Sequence, residues 1–237
     1  LLIEKPIGIK NHSKESRELI KLSKLTPIAI GYIFRSNPSF KLVKKFLNNN
    51  SIGEIIEADF YCGSWLPDWR SVDDYRNTVS AKKKLGGGVL LELSHEIDLA
   101  LKLFGKIDIL NSHIINSGQL EIDTEDLAYL TGQNEKKIMI SMRLNFCTKI
   151  PRRKIIIRGT GGEICWNLIN GKVTIQKSSK NIEVHECKKS KEEIFALQLE
   201  TFFQISNISN TELCNVEEGL EVLNIIEKSL KINKNIF

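Results

Sequence analysis

Residues 86–98 read Gly-Gly-Gly-Val-Leu-Leu-Glu-Leu-Ser-His-Glu-Ile-Asp: three glycines run into an apolar stretch with ionisable side chains at Glu92, His95 and Asp98. Glycines give a backbone without Cβ atoms, which can approach a ligand closely or enter a helix by a tight turn. From Val89 to Leu99 the apolar residues lie nearly all round, which predicts a buried helix continuing to Phe104-Gly105. At i, i+3 and i+6, Glu92, His95 and Asp98 fan along one side of that helix. Ionisable groups on a buried helix are costly unless they pair or face a cavity.

Several chemistries compete for this spacing. His95 reads first as a core histidine bonded to Glu92. A zinc-protease helix needs H-E-x-x-H, and Leu99 occupies the last place of that pattern. A di-iron site would use Glu92-x-x-His95, but it needs a second such motif, which the chain lacks. No metal is therefore expected. The remaining reading is proton transfer, since a histidine held by a carboxylate and titrating near neutrality suits removal of a hydroxyl proton. Glu92 would orient and tune it.

A second element bears on the same chemistry. Glu4-Lys5-Pro6 follows Leu1-Leu2-Ile3, which reads as the end of a buried strand. A residue before proline is held extended, and open α/β sheets bind ligands at the carboxyl ends of their strands. Lys5 can there polarise a hydroxyl or carbonyl oxygen. By itself it reads equally as a surface lysine in a turn.

The elements that must position these groups fall into two rhythms. Residues 13–25 predict a helix capped by Ser13, with Leu19, Ile20 and Leu22 on one side. Pro27 to Phe34 reads as a buried strand, and Asn37-Pro38 opens a helix to Leu47. Strand, helix, strand, helix is the rhythm of an α/β unit. After Gly53 strands dominate. Ile55 to Tyr61 is one, and residues 62–85 form a long irregular stretch with two tryptophans. Ile138, Ile140, Met142, Leu144 and Phe146 alternate with polar neighbours on another. Lys154 to Arg158 is a further strand, and Asn170-Gly171 predicts a tight hairpin between Ile164–Leu168 and Lys172–Gln176. Ser190-x-x-Glu193 predicts a capping box for a helix carrying Phe195, Leu199 and Phe202. Asn215-x-x-Glu218 caps a last helix with Leu220, Leu223 and Ile226 inward. The expected fold class is α/β followed by α+β, with a large, mostly antiparallel open sheet and helices on one face.

Composition excludes several alternatives. The chain has 237 residues, of which 41% are hydrophobic and 27% charged, and a formal net charge of +5, an ordinary globular balance. The basic residues are scattered and not interleaved with aromatics, so no nucleic-acid partner is expected. No apolar run reaches membrane-spanning length, so no membrane partner is expected. Five widely spaced cysteines without a C-x-x-C pair read as reduced thiols in a cytoplasmic protein.

E-K-P after a strand, followed far downstream by G-G-G-x-x-x-E-x-x-H-x-x-D, resembles the Gfo/Idh/MocA oxidoreductases, the glucose-fructose oxidoreductase and inositol dehydrogenase relatives. Gly31–Arg35, Ile52-Gly53-Glu54-Ile55, Trp69-Arg70, Gly159-Thr160-Gly161-Gly162 and Glu218-Gly219-Leu220 are similar to patterns of that family at the same places. Trp65-Leu66-Pro67-Asp68-Trp69-Arg70 with Asp74-Tyr75-Arg76 resembles members found with nonulosonic-acid and surface-polysaccharide genes. The resemblance implies that residues 1–36 are the C-terminal part of a dinucleotide-binding Rossmann domain and residues 37–237 a substrate-binding and oligomerisation domain. It implies roughly ninety preceding residues with the G-x-G-x-x-G turn, which would carry the choice between NAD and NADP. It further implies hydride transfer at a carbinol carbon of a sugar, cyclitol or nucleotide-sugar, in a homo-dimer or homo-tetramer. Under it, His95 is the general acid/base, Lys5 polarises the substrate oxygen, and Glu92 and Asp98 are the accompanying carboxylates. Glu4, Lys5 and Pro6 face the cofactor, while Trp69, Arg70 and Tyr75 wall the sugar. One departure stands out: many members place an aspartate four residues before the histidine, where this chain has Leu91. Two alternatives remain: NAD-dependent glycoside cleavage on the same fold, and a non-catalytic chain acting only in oligomerisation.

Overall fold

Alternation decides the sheet. Ile138, Ile140, Met142, Leu144 and Phe146 are all buried, and their polar neighbours Ser141 and Arg143 turn to the opposite face. The computed structural model describes residues 1–9, 11, 13–69, 74–178, 181–204 and 211–234. A short parallel pair, β1 (Leu2–Ile3) and β2 (Ala29–Ile30), is joined through helix α1 (Lys14–Ser23). Helix α2 (Pro38–Asn48) follows, with Asn37 capping it and Pro38 in its first turn.

The main sheet contains β3 (Ile55–Gly63), β4 (Ile107–Ile115), β5 (Leu127–Asn134), β6 (Met139–Asn145), β7 (Arg152–Gly159), β8 (Gly162–Asn167), β9 (Lys172–Lys177) and β10 (Glu183–Glu186). Its order is β10-β9-β8-β7-β3-β6-β5-β4. Only the central β3–β6 pair is parallel; every other pair is antiparallel. The expected Asn170-Gly171 turn joins β8 to β9, with Gly171 in the left-handed region.

The remaining helices are α3 (Val89–Glu92), α4 (His95–Phe104), α5 (Lys191–Gln204) and α6 (Val216–Lys234). Helix α2 lies on β8 and β9, α3 on β5 and β6, α4 on β3 and β6, and α6 on β4. Together they bury one face of the sheet in a core that also takes in Ile28, Ile30 and Tyr32. The opposite face carries Asp59, Tyr61, Arg143 and Lys154 and is open to solvent. Both predicted capping boxes form: Glu193 N–H donates to Ser190 Oγ at 3.1 Å and Ser190 N–H to Glu193 Oε2 at 2.7 Å. The Asn215–Glu218 pair repeats the arrangement at 2.8 and 3.1 Å.

Three expectations are corrected. The helix predicted from Val89 to Phe104 is broken at Leu93-Ser94, because the Ser94 hydroxyl donates to the Leu91 carbonyl at 2.8 Å and competes with the backbone ladder. The strand expected from Pro27 to Phe34 is only two residues long, since Ile33–Ser36 winds into a 3₁₀ turn. On α5 the buried side chains are Ile194 and Gln198, whereas Phe195 is exposed and Leu199 and Phe202 are half-buried. Helix α5 packs against that same 3₁₀ turn.

The turn carries a fully buried charge. Arg35 is 1% exposed and grips Asp98 of α4 through Nε at 3.0 Å and Nη2 at 2.6 Å. Its Nη1 donates to Glu218 of α6 at 2.6 Å, and Lys102 Nζ donates to the other oxygen of Glu218 at 2.8 Å. Removing one partner of such a pair leaves a buried charge unmatched. Arg35→Met is therefore expected to destabilise the fold by about 3–5 kcal/mol, read as a lower urea midpoint. The double variant Arg35→Met/Asp98→Leu should recover part of that loss.

Candidate active site

Lys5 stands just beyond the carboxyl end of β1. Its Nζ donates to the Glu92 carbonyl at 2.7 Å and lies 3.9 Å from the Glu92 carboxylate. An ammonium has three donors, so Lys5 keeps donors for a ligand. The Lys5–Pro6 peptide bond is cis. Burial lowers the Lys5 pKa, and Arg153 adds to this while Glu92 opposes it.

The break after α3 sends the carboxylates apart. Glu92 faces Lys5, Asp98 faces Arg35, and His95 turns to neither. No hydrogen bond joins Glu92 to His95, so the expected orienting role of Glu92 is not what the geometry shows. His95 is held by rings: Tyr32 lies edge-on at 5.4 Å and Phe34 at 5.0 Å between centroids. Its Nδ1 is buried without a partner, which leaves Nε2 as the nitrogen open to a ligand. Burial lowers the His95 pKa well below 6.5, with the positive charges of Arg153, Lys5 and Lys191 acting in the same direction. The imidazole is thus neutral at pH 7 and able to accept a proton.

Glu92, Lys5 and His95 share one cavity of about 680 Å³, lined also by Glu4, Ser64, Trp69, Arg152, Arg153 and Lys191. Trp69 donates from Nε1 to Ser64 Oγ at 2.7 Å and stands edge-on to Phe146 at 5.1 Å. Cys62 also reaches this wall, but burial and the neighbouring Glu96 push its thiol up to about 12, which rules out a resting thiolate nucleophile.

Among the residues expected at the site, the structure brings together Glu4, Lys5, Glu92, His95 and Trp69. Pro6 is not on the cavity wall, and Asp98 is engaged by Arg35 outside it. Tyr75 lies in a separate loop, where its hydroxyl accepts from Glu121 N–H at 3.1 Å. Arg70 falls outside the described residues. The glycine run does not floor the cavity either. A Cβ on Gly88, whose φ is +115°, would stand 2.3 Å from Glu125 Oε1, and one on Gly87 would stand 2.2 Å from the Val79 carbonyl. The run serves close packing of α3 against those segments.

Sequence reasoning missed the Arg153–Glu96 pair. Arg153 Nε donates to Glu96 Oε1 at 2.6 Å, and its guanidinium lies 3.9 Å over the Phe34 ring. Arg153 Nη2 and Glu96 Oε2 are buried without partners beside His95. A carboxylate adjacent to His95 in a buried helix was the available signal, because it required a cation from elsewhere. Among the described residues no cluster of three or more His, Cys, Asp or Glu side chains is placed to hold a metal ion. No described helix is long and apolar enough to cross a membrane.

A half-open sheet backed by helices defines an α/β domain that brings a lysine, a histidine and paired ions together in one cleft. The C-terminal α/β domain of the Gfo/Idh/MocA oxidoreductase family matches residues 44–231, and the chain belongs to that family. Oxidoreductase P35 of Formosa agariphila is 22% identical over 239 residues, covering 95% of this chain and 69% of that protein. An inositol dehydrogenase homolog from Azotobacter vinelandii, complexed with NAD+, superposes with a TM-score of 0.82 at 13% identity over 99% of this chain and 70% of its own. A levoglucosan dehydrogenase complexed with NADH and levoglucosan gives 0.83 at 16% identity, over 99% and 71%.

His95 supplies a stability signature that needs no substrate. Its folded pKa lies below its unfolded value of 6.5, so the unfolded chain takes up the proton first and stability falls as pH drops below that value. His95→Gln should lose less stability than the parent between pH 7.5 and 5.5 (~2 pH units spanning the unfolded value), compared as urea midpoints at both.

Proposed function

We propose that this protein is an NAD(P)-dependent dehydrogenase acting at a carbinol carbon of a sugar, cyclitol or nucleotide-sugar. The observation that carries the reading is the convergence of Lys5 and His95, from distant parts of the chain, on one cavity wall. His95 Nε2 takes the hydroxyl proton of the substrate, or returns it in the opposite direction. Lys5 Nζ donates to the same oxygen and steadies its developing charge. Tyr32 and Phe34 fix the imidazole ring, and the cations around it keep it neutral before it accepts the proton. Trp69, held by Ser64, offers an apolar face to a sugar ring.

A nicotinamide, when bound, supplies the acceptor or donor of the hydride. The residues fit it. Lys5 and Glu4 follow the carboxyl end of a parallel strand, where open α/β sheets take their ligands, and the Lys5 ammonium retains donors there. Residues 1–36 then form the end of the dinucleotide-binding unit and residues 37–237 the substrate and oligomer unit, a division supported by the family match beginning at residue 44. The open sheet face exposes Tyr129 and Met139, which supports a homo-dimer or homo-tetramer built on that half. All five cysteines are unpaired, which supports a reducing, cytoplasmic setting.

In the holoenzyme, His95→Asn should lower kcat by roughly two to four orders of magnitude with a small change in KM. A loss below about tenfold in a folded variant would remove His95 from the mechanism. Lys5→Met should lower kcat by about two to three orders of magnitude, and the same steady-state assay reads it.

A further inference from the structure

Two arginines turn inward, and they are satisfied differently. Arg35 uses all three guanidinium nitrogens, Nε and Nη2 on Asp98 and Nη1 on Glu218. Arg153 donates from Nε to Glu96 Oε1 at 2.6 Å, while its Nη2 and the second Glu96 oxygen are buried without a protein partner. A buried polar atom left in that state lowers stability, and native folds keep few of them without a functional reason. Arg35 lies away from the cavity of Lys5 and His95, whereas Arg153 lines it.

Strand alternation explains how Arg153 comes to be there. On β7 it shares a face with Ile155 and Ile157, both fully buried, because successive side chains point to opposite faces. It pairs in register with Cys62 of β3, another residue of the cavity wall. A charge on that face requires a partner. Glu96, 1% exposed, supplies it from α4, one residue after His95.

The contacts then close a circuit. The Arg153 guanidinium lies 3.9 Å over the Phe34 ring, and Phe34 stands edge-on to His95 at 5.0 Å. Glu96 and His95 are neighbours on α4, so Glu96, Arg153, Phe34 and His95 join α4, β7 and the 3₁₀ turn in one loop of contacts. A planar guanidinium can lie on a ring and fork onto a carboxylate at once, which an ammonium cannot.

Charged and titratable groups reach this cavity from every side. Glu4 and Lys5 come from the end of β1, Cys62 from β3, Glu92 from α3, Arg152 and Arg153 from β7 and Lys191 from α5. Tyr32 touches the imidazole ring itself. Burial lowers the His95 pKa most, and Arg153 follows, ahead of Lys5 and Lys191.

We propose that Arg153 is a positioning residue for His95: locked by Glu96 and laid on Phe34, it clamps the ring that seats the imidazole and keeps a fixed positive charge beside it. This deepens the proton-transfer reading of His95 and rests on it. Arg153 takes no proton itself, since a guanidinium stays charged throughout the working range. Its charge disfavours an imidazolium before substrate arrives, so the acceptor is free when the hydroxyl proton must leave.

The test is an NMR titration of the histidine rings, which needs no substrate. The chain has four histidines, and the signal lost in His95→Asn identifies the one of interest. Arg153→Met/Glu96→Leu removes both charges together, a replacement that buried pairs often tolerate. Losing the nearby cation favours the imidazolium, so the His95 midpoint should rise by about one pH unit, and the acid limb of kcat/KM should move to higher pH with it. Arg153→Lys keeps the charge without the planar fork. Its midpoint should stay at the parent value while kcat falls by about ten- to a hundredfold, the loss expected of a misplaced catalytic group. Circular dichroism checks that each variant is folded, and Arg153→Lys decides alone if the double variant is not. An unchanged midpoint in the folded double variant overturns the proposal, whatever the rates do. So does a parental kcat in Arg153→Lys when His95→Asn is impaired. A midpoint that moves while His95→Asn keeps its activity would uphold the hold of Arg153 on His95 and fail the proton-transfer reading instead.

Discussion

A single buried guanidinium ties the molecule together. Arg35 belongs to the turn that follows the parallel pair, Asp98 to the helix that presents His95, and Glu218 to the start of the long C-terminal helix. These three segments are remote in sequence, and the charges of Arg35 and Asp98 are out of water. A buried charge is tolerable only at close range and in good geometry, so the bidentate grip on Asp98 sets where α4 sits relative to β1 and β2. Lys5 follows β1 and His95 opens α4. The distance between the two candidate catalytic groups is thus inherited from an ion pair that touches neither.

The same segment tunes the site as well as anchoring it. Within the turn that contains Arg35, Phe34 bears Arg153 on its face and meets the imidazole of His95, and Tyr32, just before the turn, also meets that ring. Rings replace the hydrogen-bonded carboxylate that usually orients a catalytic histidine. A carboxylate partner would raise the basicity of the imidazole; apolar walls and nearby cations lower it. His95 is consequently a weaker base than an ordinary imidazole and is neutral at pH 7, and in the proposed mechanism Lys5 shares the task by stabilising the oxygen that loses its proton.

Much of this was legible in the chain. Strict alternation from Ile138 to Phe146 marked the central strand, Asn170-Gly171 marked the hairpin, and both Ser/Asn-x-x-Glu boxes formed as read. A lysine before proline at a strand end and a histidine in a buried helix were singled out from the sequence, and the two line one cavity. The partners of these groups were not. Helical periodicity placed Glu92, His95 and Asp98 on one side, but the Ser94 hydroxyl broke the helix and sent each to a different neighbour. Arg153 was not singled out, since nothing local indicates that Glu96, far away in sequence, will neutralise it. Phe195 looked like core by its spacing, yet α5 buries Ile194 and Gln198 instead. Local signals specified elements, and long-range charge pairing specified the site.

The central claim is that a neutral, ring-held His95 is the proton acceptor. The most direct measurement is the pH dependence of kcat/KM for the oxidation direction in the parent and in His95→Asn. The parent should hold its rate down to a pH below the ordinary histidine value of 6.5 and then fall as the imidazole protonates, and this acid limb should vanish in the variant. An acid limb that persists unchanged in His95→Asn would contradict the account and give the proton to another group.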